Sequence, residues 1–222
     1  MLKPRKRLTK KQLKEDKLVT FYVKATAFVE ENSKYLFGGA IAFVLLIAMV
    51  FAYSNSLKSA QQKASVELAR ATRAYDAGDY QNALLMLSNL VEEYGRTQSG
   101  KIGLLYLANS YYFTGDYQSA LENYKKFVSK FKGDDYLIAS GMRGIAACYE
   151  QMEKWQEAAE QYEKTAKKFP KSILAPELLI KAARCYTNAG DKEKAKELYQ
   201  KVIDDYPKAQ EKQEALLLLA ML

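Results

Sequence analysis

The chain has 222 residues, 49% of them hydrophobic and 27% charged, which excludes a disordered protein and allows one sizeable domain with an appendage. It contains no histidine, so the commonest general base and metal ligand is excluded and we do not expect an enzyme. The net charge is +8, but ten of the basic residues lie in residues 1–34, against four acidic ones. The remainder is close to neutral, so nucleic acid is not indicated as a partner.

Residues 1–34 are predicted to form a cytoplasmic, basic, amphipathic segment. Thr9 and Gln12 have the spacing of a helix capping box, and lysines occupy the face opposite the apolar residues. The apolar residues at helical spacing are Leu13, Leu18, Phe21, Tyr22, Ala25, Phe28 and Val29. This pattern is typical of a helix on the inner leaflet of a membrane. A basic flank that only sets topology, with no partner of its own, is the alternative.

Residues 35–57 carry no charge over 23 positions, which is long enough to cross a hydrocarbon core of roughly 30 Å. The excess of Lys and Arg before this run predicts a single transmembrane helix with a cytoplasmic N-terminus and an exported C-terminal domain. A cleaved signal peptide is the competing interpretation, and the basic lead of more than 30 residues argues against it. Within the span, Gly38 and Ala42 are candidate contact positions for a second transmembrane helix.

Four turns of related sequence recur in the rest of the chain. They are Gly78-Asp79-Tyr80, Gly115-Asp116-Tyr117, Glu153-Lys154-Trp155 and Gly190-Asp191-Lys192, at intervals of 37, 38 and 37 residues. A turn that recurs at this period predicts stacked helical hairpins. The predicted exported domain is 58–222, with hairpins at about 64–100, 101–138, 139–175 and 176–212 and a final helix at 213–222.

Two columns of small residues run through these hairpins, one in each helix. The first helices share Ala71, Ala108, Ala146 and Ala183, and the second helices share Ala83, Ala120, Ala158 and Ala195. Small residues let paired helices approach, and the bulky residues between them fill the gaps. The fold class predicted from this pattern is all-α.

These columns resemble the tetratricopeptide repeat over residues 64 to about 208. The resemblance implies a right-handed α-solenoid that binds other proteins along a concave surface lined by the first helices, with no cofactor. Its period is about three residues longer than the usual 34, and the extra residues follow the second helix. That longer link resembles the bacterial envelope members of the family, of the BamD and CpoB type.

The segment AFVEENSKYLFGGAIAF at residues 27–43 is similar to the YfgM family of ancillary SecYEG translocon subunits. This resemblance implies a single-pass protein of the bacterial inner membrane with a periplasmic repeat domain. It also implies SecYEG and a membrane-anchored periplasmic prolyl isomerase as partners, and binding of emerging envelope proteins. A structural scaffold of a cell-wall, division or outer-membrane assembly complex, without clients, is the alternative.

The concave surface is the candidate binding site. Its predicted groove residues are Tyr75, Leu105, Asn109, Tyr112, Phe113, Arg143, Arg184 and Asn188. Rings would anchor apolar side chains, while Arg and Asn would hold backbone or acidic groups of a partner. In the alternative, Tyr112 and Phe113 only pack against a neighbouring helix. The carboxylate clamp of chaperone-binding repeats is not matched, because Leu68 and Leu105 stand where the clamp uses lysine.

The C-terminus is rich in leucine and predicts a docking edge for a partner or a second copy. The predicted edge residues are Leu217, Leu218, Met221 and Leu222, which a single hairpin cannot all bury. A frayed end folded back on the last hairpin is the alternative.

Cys148 and Cys185 occupy equivalent columns of adjacent hairpins. Stacked first helices lie about 8 to 10 Å apart, beyond the roughly 7 Å that a disulfide allows, so buried thiols are favoured over a disulfide. Two cysteines without histidine do not form a recognisable zinc site, and no catalytic constellation is apparent.

Overall fold

The computed structural model describes the backbone of residues 17–222 and the side chains of residues 20–222. The predicted capping box of Thr9 and Gln12, and Leu13, lie outside the described residues. The described residues contain ten helices and no strand. The helices are α1 Lys17–Glu31, α2 Ser33–Asp76, α3 Tyr80–Tyr94, α4 Gln98–Phe113, α5 Tyr117–Lys130, α6 Asp135–Gln151, α7 Trp155–Lys168, α8 Ala175–Asn188, α9 Lys192–Asp205 and α10 Glu211–Ala220.

The chain divides into two compact units, Met1–Ser56 and Leu57–Leu222. In the first unit, helical hydrogen bonding continues through Asn32 between α1 and α2. The Asn32 N–H donates to the carbonyl of Phe28 at 3.0 Å, and the Asn32 carbonyl accepts from the Leu36 N–H at 2.9 Å.

In the described residues, α2 is the helix that is long and apolar enough to cross a membrane, judged by length and composition. The side chains of residues 35–57 are all exposed. Gly38 and Ala42 lie exposed on this helix, and their contact with another helix stays a prediction.

The second unit is a helical solenoid, as the recurring turns predict. The part of α2 after Ser56 shares a hydrophobic core with α3 and forms the first hairpin. The following hairpins are α4 with α5, α6 with α7 and α8 with α9. Each first helix from α4 onward also packs against the second helix of the preceding hairpin. The last helix, α10, packs against α9 and α8.

The turns between paired helices share one backbone geometry. Gly78, Gly115 and Gly190 adopt left-handed φ angles of 77°, 84° and 91°. At the first turn, the Gly78 N–H donates to the Tyr75 carbonyl and the Asp79 N–H to the Ala74 carbonyl, which is a Schellman ending. The Asp79 carboxylate then caps α3 by accepting from the Asn82 N–H at 3.2 Å.

The third turn departs from this chemistry while keeping the geometry. Glu153 takes the left-handed position with φ 57°, which disfavours a residue with a Cβ. Lys154 follows it and gives α7 no side-chain cap. The turn still forms, because its two backbone hydrogen bonds at 3.0 and 2.9 Å match those of the other turns.

Both predicted small columns are fully buried. Every alanine of the two columns has no exposed surface. The bulky column of the second helices is also buried, and consists of Leu87, Tyr124, Tyr162 and Tyr199. The core therefore runs along the solenoid as a layer between first and second helices.

Candidate functional site

First helices of the solenoid line an open cavity of about 470 Å³. Six of the eight predicted groove residues lie in its wall, and they come from α2, α4 and α6. They are Tyr75, Leu105, Asn109, Tyr112, Phe113 and Arg143. The same wall includes groups from α8, so the cavity crosses all four hairpins.

Aromatic rings form the end of the cavity nearest the first hairpin. The rings of Tyr75 and Tyr106 meet edge to face, with centroids 5.3 Å apart. Phe113 stacks on Tyr80 at 4.8 Å, yet 53% of its surface is exposed. Phe113 therefore packs on a neighbour, as the alternative interpretation holds, and still leaves about half of its surface exposed while it lines the cavity.

Two tyrosines from the second helices also reach the cavity. The Tyr124 hydroxyl donates to Asn109 Oδ1 at 2.6 Å, and the Tyr162 hydroxyl donates to Glu150 Oε2 at 2.7 Å. Burial raises the pKa of both phenols, so both stay protonated donors. Sequence reasoning placed them only in the packing layer. The recurrence of tyrosine at this position of the second helices indicates a polar contact in addition to packing, because a buried phenol usually needs a hydrogen-bond partner.

The end of the cavity formed by α6 and α8 carries charge. Arg143 Nη1 lies 3.5 Å from Glu177 Oε2, a long contact for an ion pair. The Lys181 Nζ lies 5.8 Å from the centre of the Tyr162 ring. Sequence reasoning missed Lys181, because the equivalent positions one and two repeats earlier are Gly144 and Tyr106 and give no hint of a cation.

Leu105 is buried, contrary to the exposure expected from its column. Only 7% of its surface is exposed, because it packs in the core with Leu104 and Tyr124. Leu105 is therefore part of the cavity wall, but little of its side chain is accessible to a partner.

Arg184 and Asn188, the other two predicted groove residues, lie in a separate cavity of about 380 Å³. Leu218, Met221 and Leu222 of the predicted docking edge share that cavity. The two surfaces expected to be distinct therefore meet at the C-terminal end of the solenoid.

An ion pair ties α10 to the fourth hairpin, with Arg184 Nη2 2.7 Å from Glu214 Oε1. Leu218 and Leu222 are half-buried against the core of the last two hairpins. Leu217 and Met221 are 62% and 73% exposed. Part of the predicted edge thus folds back on the last hairpin and part faces outward.

Both cysteines are buried and unpaired in the structure. Burial raises the pKa of Cys148 and of Cys185 to about 12. Thiols of this kind are packing groups and poor nucleophiles.

Comparison with known proteins decides the family. A family model described as a tetratricopeptide repeat-like domain matches residues 26–143, more than half of the chain. The chain belongs to the tetratricopeptide repeat family. A second model, described as a tetratricopeptide repeat, matches residues 142–172 and 177–209. A search of curated proteins gave no significant match.

Solved structures agree with this family at the level of the fold. A protein from Podosopora anserina, described as a putative kinesin light chain with nearly identical TPR-like repeats, is 21% identical with a TM-score of 0.55. The match covers 66% of this chain and 76% of that one. A crystal structure of a variant of the Podosopora anserina protein is 19% identical with a TM-score of 0.55, over 72% of this chain and 94% of that one.

Tetratricopeptide repeat proteins mediate protein–protein interactions, and their fold is generally a binding scaffold and not a catalytic one. The cavity lined by Phe113, Tyr124 and Lys181 is accordingly a candidate protein-binding groove.

Proposed function

We propose that this tetratricopeptide repeat protein is a membrane-anchored protein-binding subunit that receives segments of emerging envelope proteins near the Sec translocon. The observation that carries the proposal is the groove itself. It combines a half-exposed ring, Phe113, with hydrogen-bonding groups such as Asn109 and cations such as Arg143 on one continuous wall. Such a surface suits reversible binding of an extended or short helical segment.

Several features support a membrane anchor. The apolar run of residues 35–57 is exposed along its length, and the basic residues before it favour a cytoplasmic N-terminus and a periplasmic solenoid. The family match begins at residue 26, so the apolar run lies inside the matched region. Gly38 and Ala42 are the candidate positions for contact with another transmembrane helix.

Cysteine accessibility tests this topology. A membrane-impermeant maleimide should label Ser129→Cys, on an exposed position of α5, in spheroplasts with an intact inner membrane. It should label Lys10→Cys only after the membrane is permeabilised. The reverse pattern would overturn the proposed orientation.

The proposed partners are SecYEG and a membrane-anchored periplasmic prolyl isomerase. Support comes from the similarity of residues 27–43 to the ancillary translocon subunits. Purification of the tagged full chain from gently solubilised membranes should recover SecYEG in proportion to the bait. Recovery of a stable envelope complex without SecYEG would contradict this role.

Such a result would favour the second candidate, a structural scaffold of an envelope complex. Leu217 and Met221 support it, because a permanent partner would cover exposed apolar side chains of this kind. Under the scaffold proposal, Leu217→Ser with Met221→Ser should release the stable partner, while Phe113→Ala should leave it bound.

Photo-crosslinking tests use of the groove directly. A benzoylphenylalanine at Phe113 should capture translocating chains in membranes. The matched control is Leu85 on α3, which is 64% exposed and lines neither cavity. Equal capture at both positions would show non-specific contact and would move the site away from the groove.

A further inference from the structure

Four charged side chains line the groove, and they are unevenly distributed. Asp76 lies with the aromatic end, while Arg143, Glu177 and Lys181 lie at the end formed by α6 and α8. That end therefore carries two cations and one carboxylate.

The one carboxylate at that end does not satisfy both cations. Glu177 contacts Arg143 at the long distance of 3.5 Å, and Lys181 has no ion pair among the residues the structure describes. Glu150, also on α6, accepts the Tyr162 hydroxyl and forms no salt bridge with either cation in this part of the chain. Lys181 is a half-buried residue whose ammonium lies near the Tyr162 ring without a carboxylate partner among the described residues, so an incoming anion gains a charge-assisted contact there.

We propose that the groove selects segments that carry a carboxylate, and that Lys181 is the residue that selects for it. In this arrangement, an apolar or aromatic side chain of the partner lies against Phe113, and an Asp or Glu side chain lies between Lys181 and Arg143. The inference rests on the proposed groove function and specifies the chemistry of its ligand.

Geometry limits the spacing of these two groups in the partner. Phe113 is on α4 and Lys181 on α8, with α6 between them. Phe113 is the last residue of α4, whereas Arg143 and Lys181 lie eight and seven residues before the ends of α6 and α8. An acid between α6 and α8 therefore lies about 12 to 15 Å across the groove from α4 and about 11 Å along the helix direction, which places the two groups roughly 16 to 19 Å apart. At about 3.3 Å per residue, an extended segment covers this distance in about five or six residues.

Asp76 fixes which end of the groove takes the acid. A partner carboxylate placed at the aromatic end would meet the charge of Asp76, whereas at the other end it meets an excess of positive charge. The selected pattern is therefore a large apolar residue and an acidic residue about five or six positions apart.

Selection from a displayed library of random 12-residue peptides tests the inference, with the full chain in detergent micelles as the target. The wild-type chain should enrich peptides with Asp or Glu at this spacing from a large apolar residue. Synthetic versions of the enriched peptides should bind about two- to five-fold more weakly when the acid becomes its amide, as one partly exposed ion pair implies.

Variants of the groove sharpen the test. Lys181→Gln should lose the acidic preference, and Lys181→Glu should shift enrichment toward Lys and Arg. Glu177→Gln should strengthen the acidic preference, because it frees Arg143. The matched control is Arg184→Gln, which removes a cation from the other cavity and should change nothing in the enriched sequences. Unchanged helicity and thermal midpoint confirm that each variant is folded.

The outcomes separate the two proposals. Enrichment with the same charge preference in the wild type and in Lys181→Glu overturns the role of Lys181 and leaves the groove function standing. No enrichment of any segment, together with no specific crosslinking at Phe113, overturns the groove function and this inference with it.

Discussion

The hydroxyl of Tyr124 donates a 2.6 Å hydrogen bond to the side-chain oxygen of Asn109. The ring of the same tyrosine lies directly against Gly144 on α6. One side chain of a second helix thus joins the first helices of two successive hairpins, by its polar tip on one side and its ring on the other. The groove and the core share this residue, so binding and stability are coupled there.

Removing this hydroxyl should destabilise the solenoid modestly. Tyr124→Phe keeps the ring but leaves the half-buried Asn109 oxygen without its donor, so we expect a loss of about 1 kcal/mol in the free energy of unfolding. Guanidinium titration followed by circular dichroism measures it. The control is Tyr106→Phe, because the Tyr106 hydroxyl has no hydrogen-bond partner among the described residues. Equal losses in both variants would contradict the prediction.

Gly144→Ala should destabilise, although alanine is the better helix former. An added Cβ would overlap the ring of Tyr124, which is held in place by Asn109. We expect overpacking of about 1–3 kcal/mol to outweigh a helix gain of about 1 kcal/mol. The double variant with Tyr124→Leu should recover part of the loss in a double-mutant cycle. Strict additivity of the two substitutions would refute the clash.

The third turn should be improvable with the residues of its neighbours. Glu153→Gly relieves the left-handed φ of 57°, and Lys154→Asp supplies the missing cap of α7. Each should raise the free energy of unfolding by about 1 kcal/mol. The reverse change in the second turn, Gly115→Glu at φ 84°, should lower it by a similar amount. A gain in the third turn without a loss in the second would argue against backbone strain as the cause.

Glu163 should make stability depend on pH in the acid range. Burial alone would raise the pKa of this carboxyl, but hydrogen bonds from Lys167 and Tyr186 and the charge of Lys194 outweigh it and hold the pKa below its usual value. The Lys167 Nζ lies 2.6 Å from Oε1, and the Tyr186 hydroxyl donates to Oε2 at 3.0 Å.

A lowered pKa contributes stability that is present above the unfolded value of about 4.3 and is lost as pH falls below it. Urea midpoints between pH 7 and pH 3 should therefore fall less steeply in Glu163→Gln than in the wild type. Glu160→Gln, at an exposed position of the same helix α7, is the control and should keep the wild-type slope. If the urea midpoint of Glu163→Gln falls with pH as steeply as that of the wild type, Glu163 does not contribute to the loss of stability in acid.

Cys148 and Cys185 should resist alkylation in the folded chain. At pH 8, a thiol with a pKa of about 12 is ionised to about one part in ten thousand, against roughly a quarter for an ordinary thiol. Mass spectrometry should show labelling by iodoacetamide about a thousand-fold slower than at an introduced Ser129→Cys. Both native thiols should react once guanidinium unfolds the chain. Fast labelling of the folded wild type would show that these helices open readily.

The repeat pattern predicts many of the residues that line the candidate site, but it does not predict which of their side chains are exposed. Asn109, Tyr112, Phe113 and Arg143 line one groove, as their shared position on first helices indicates. Leu105 has an equivalent position and is buried, because its exposure depends on side chains of the next helix in the stack.

The ion pairing of Arg184 and of Lys181 could not be predicted from the repeat pattern either. Arg184 is held by Glu214 from α10, and Lys181 lies in the groove without an ion pair among the described residues. Both facts depend on residues that are distant in sequence or on a single departure from the repeat. A repeat pattern in the sequence therefore does not predict these ion-pairing states.

In three of the four hairpins, the sequence by itself determined where the first helix ends and the second begins. Gly78, Gly115 and Gly190 tolerate a left-handed φ, and the aspartate after each one caps the next helix, so each turn is specified within about six residues. Only the tertiary structure decided which surface groups are free to bind. Burial and ion pairing depend on the neighbour that packing brings against each face, and that neighbour lies on another helix: Glu177 is 34 residues from Arg143, and Glu214 is 30 residues from Arg184.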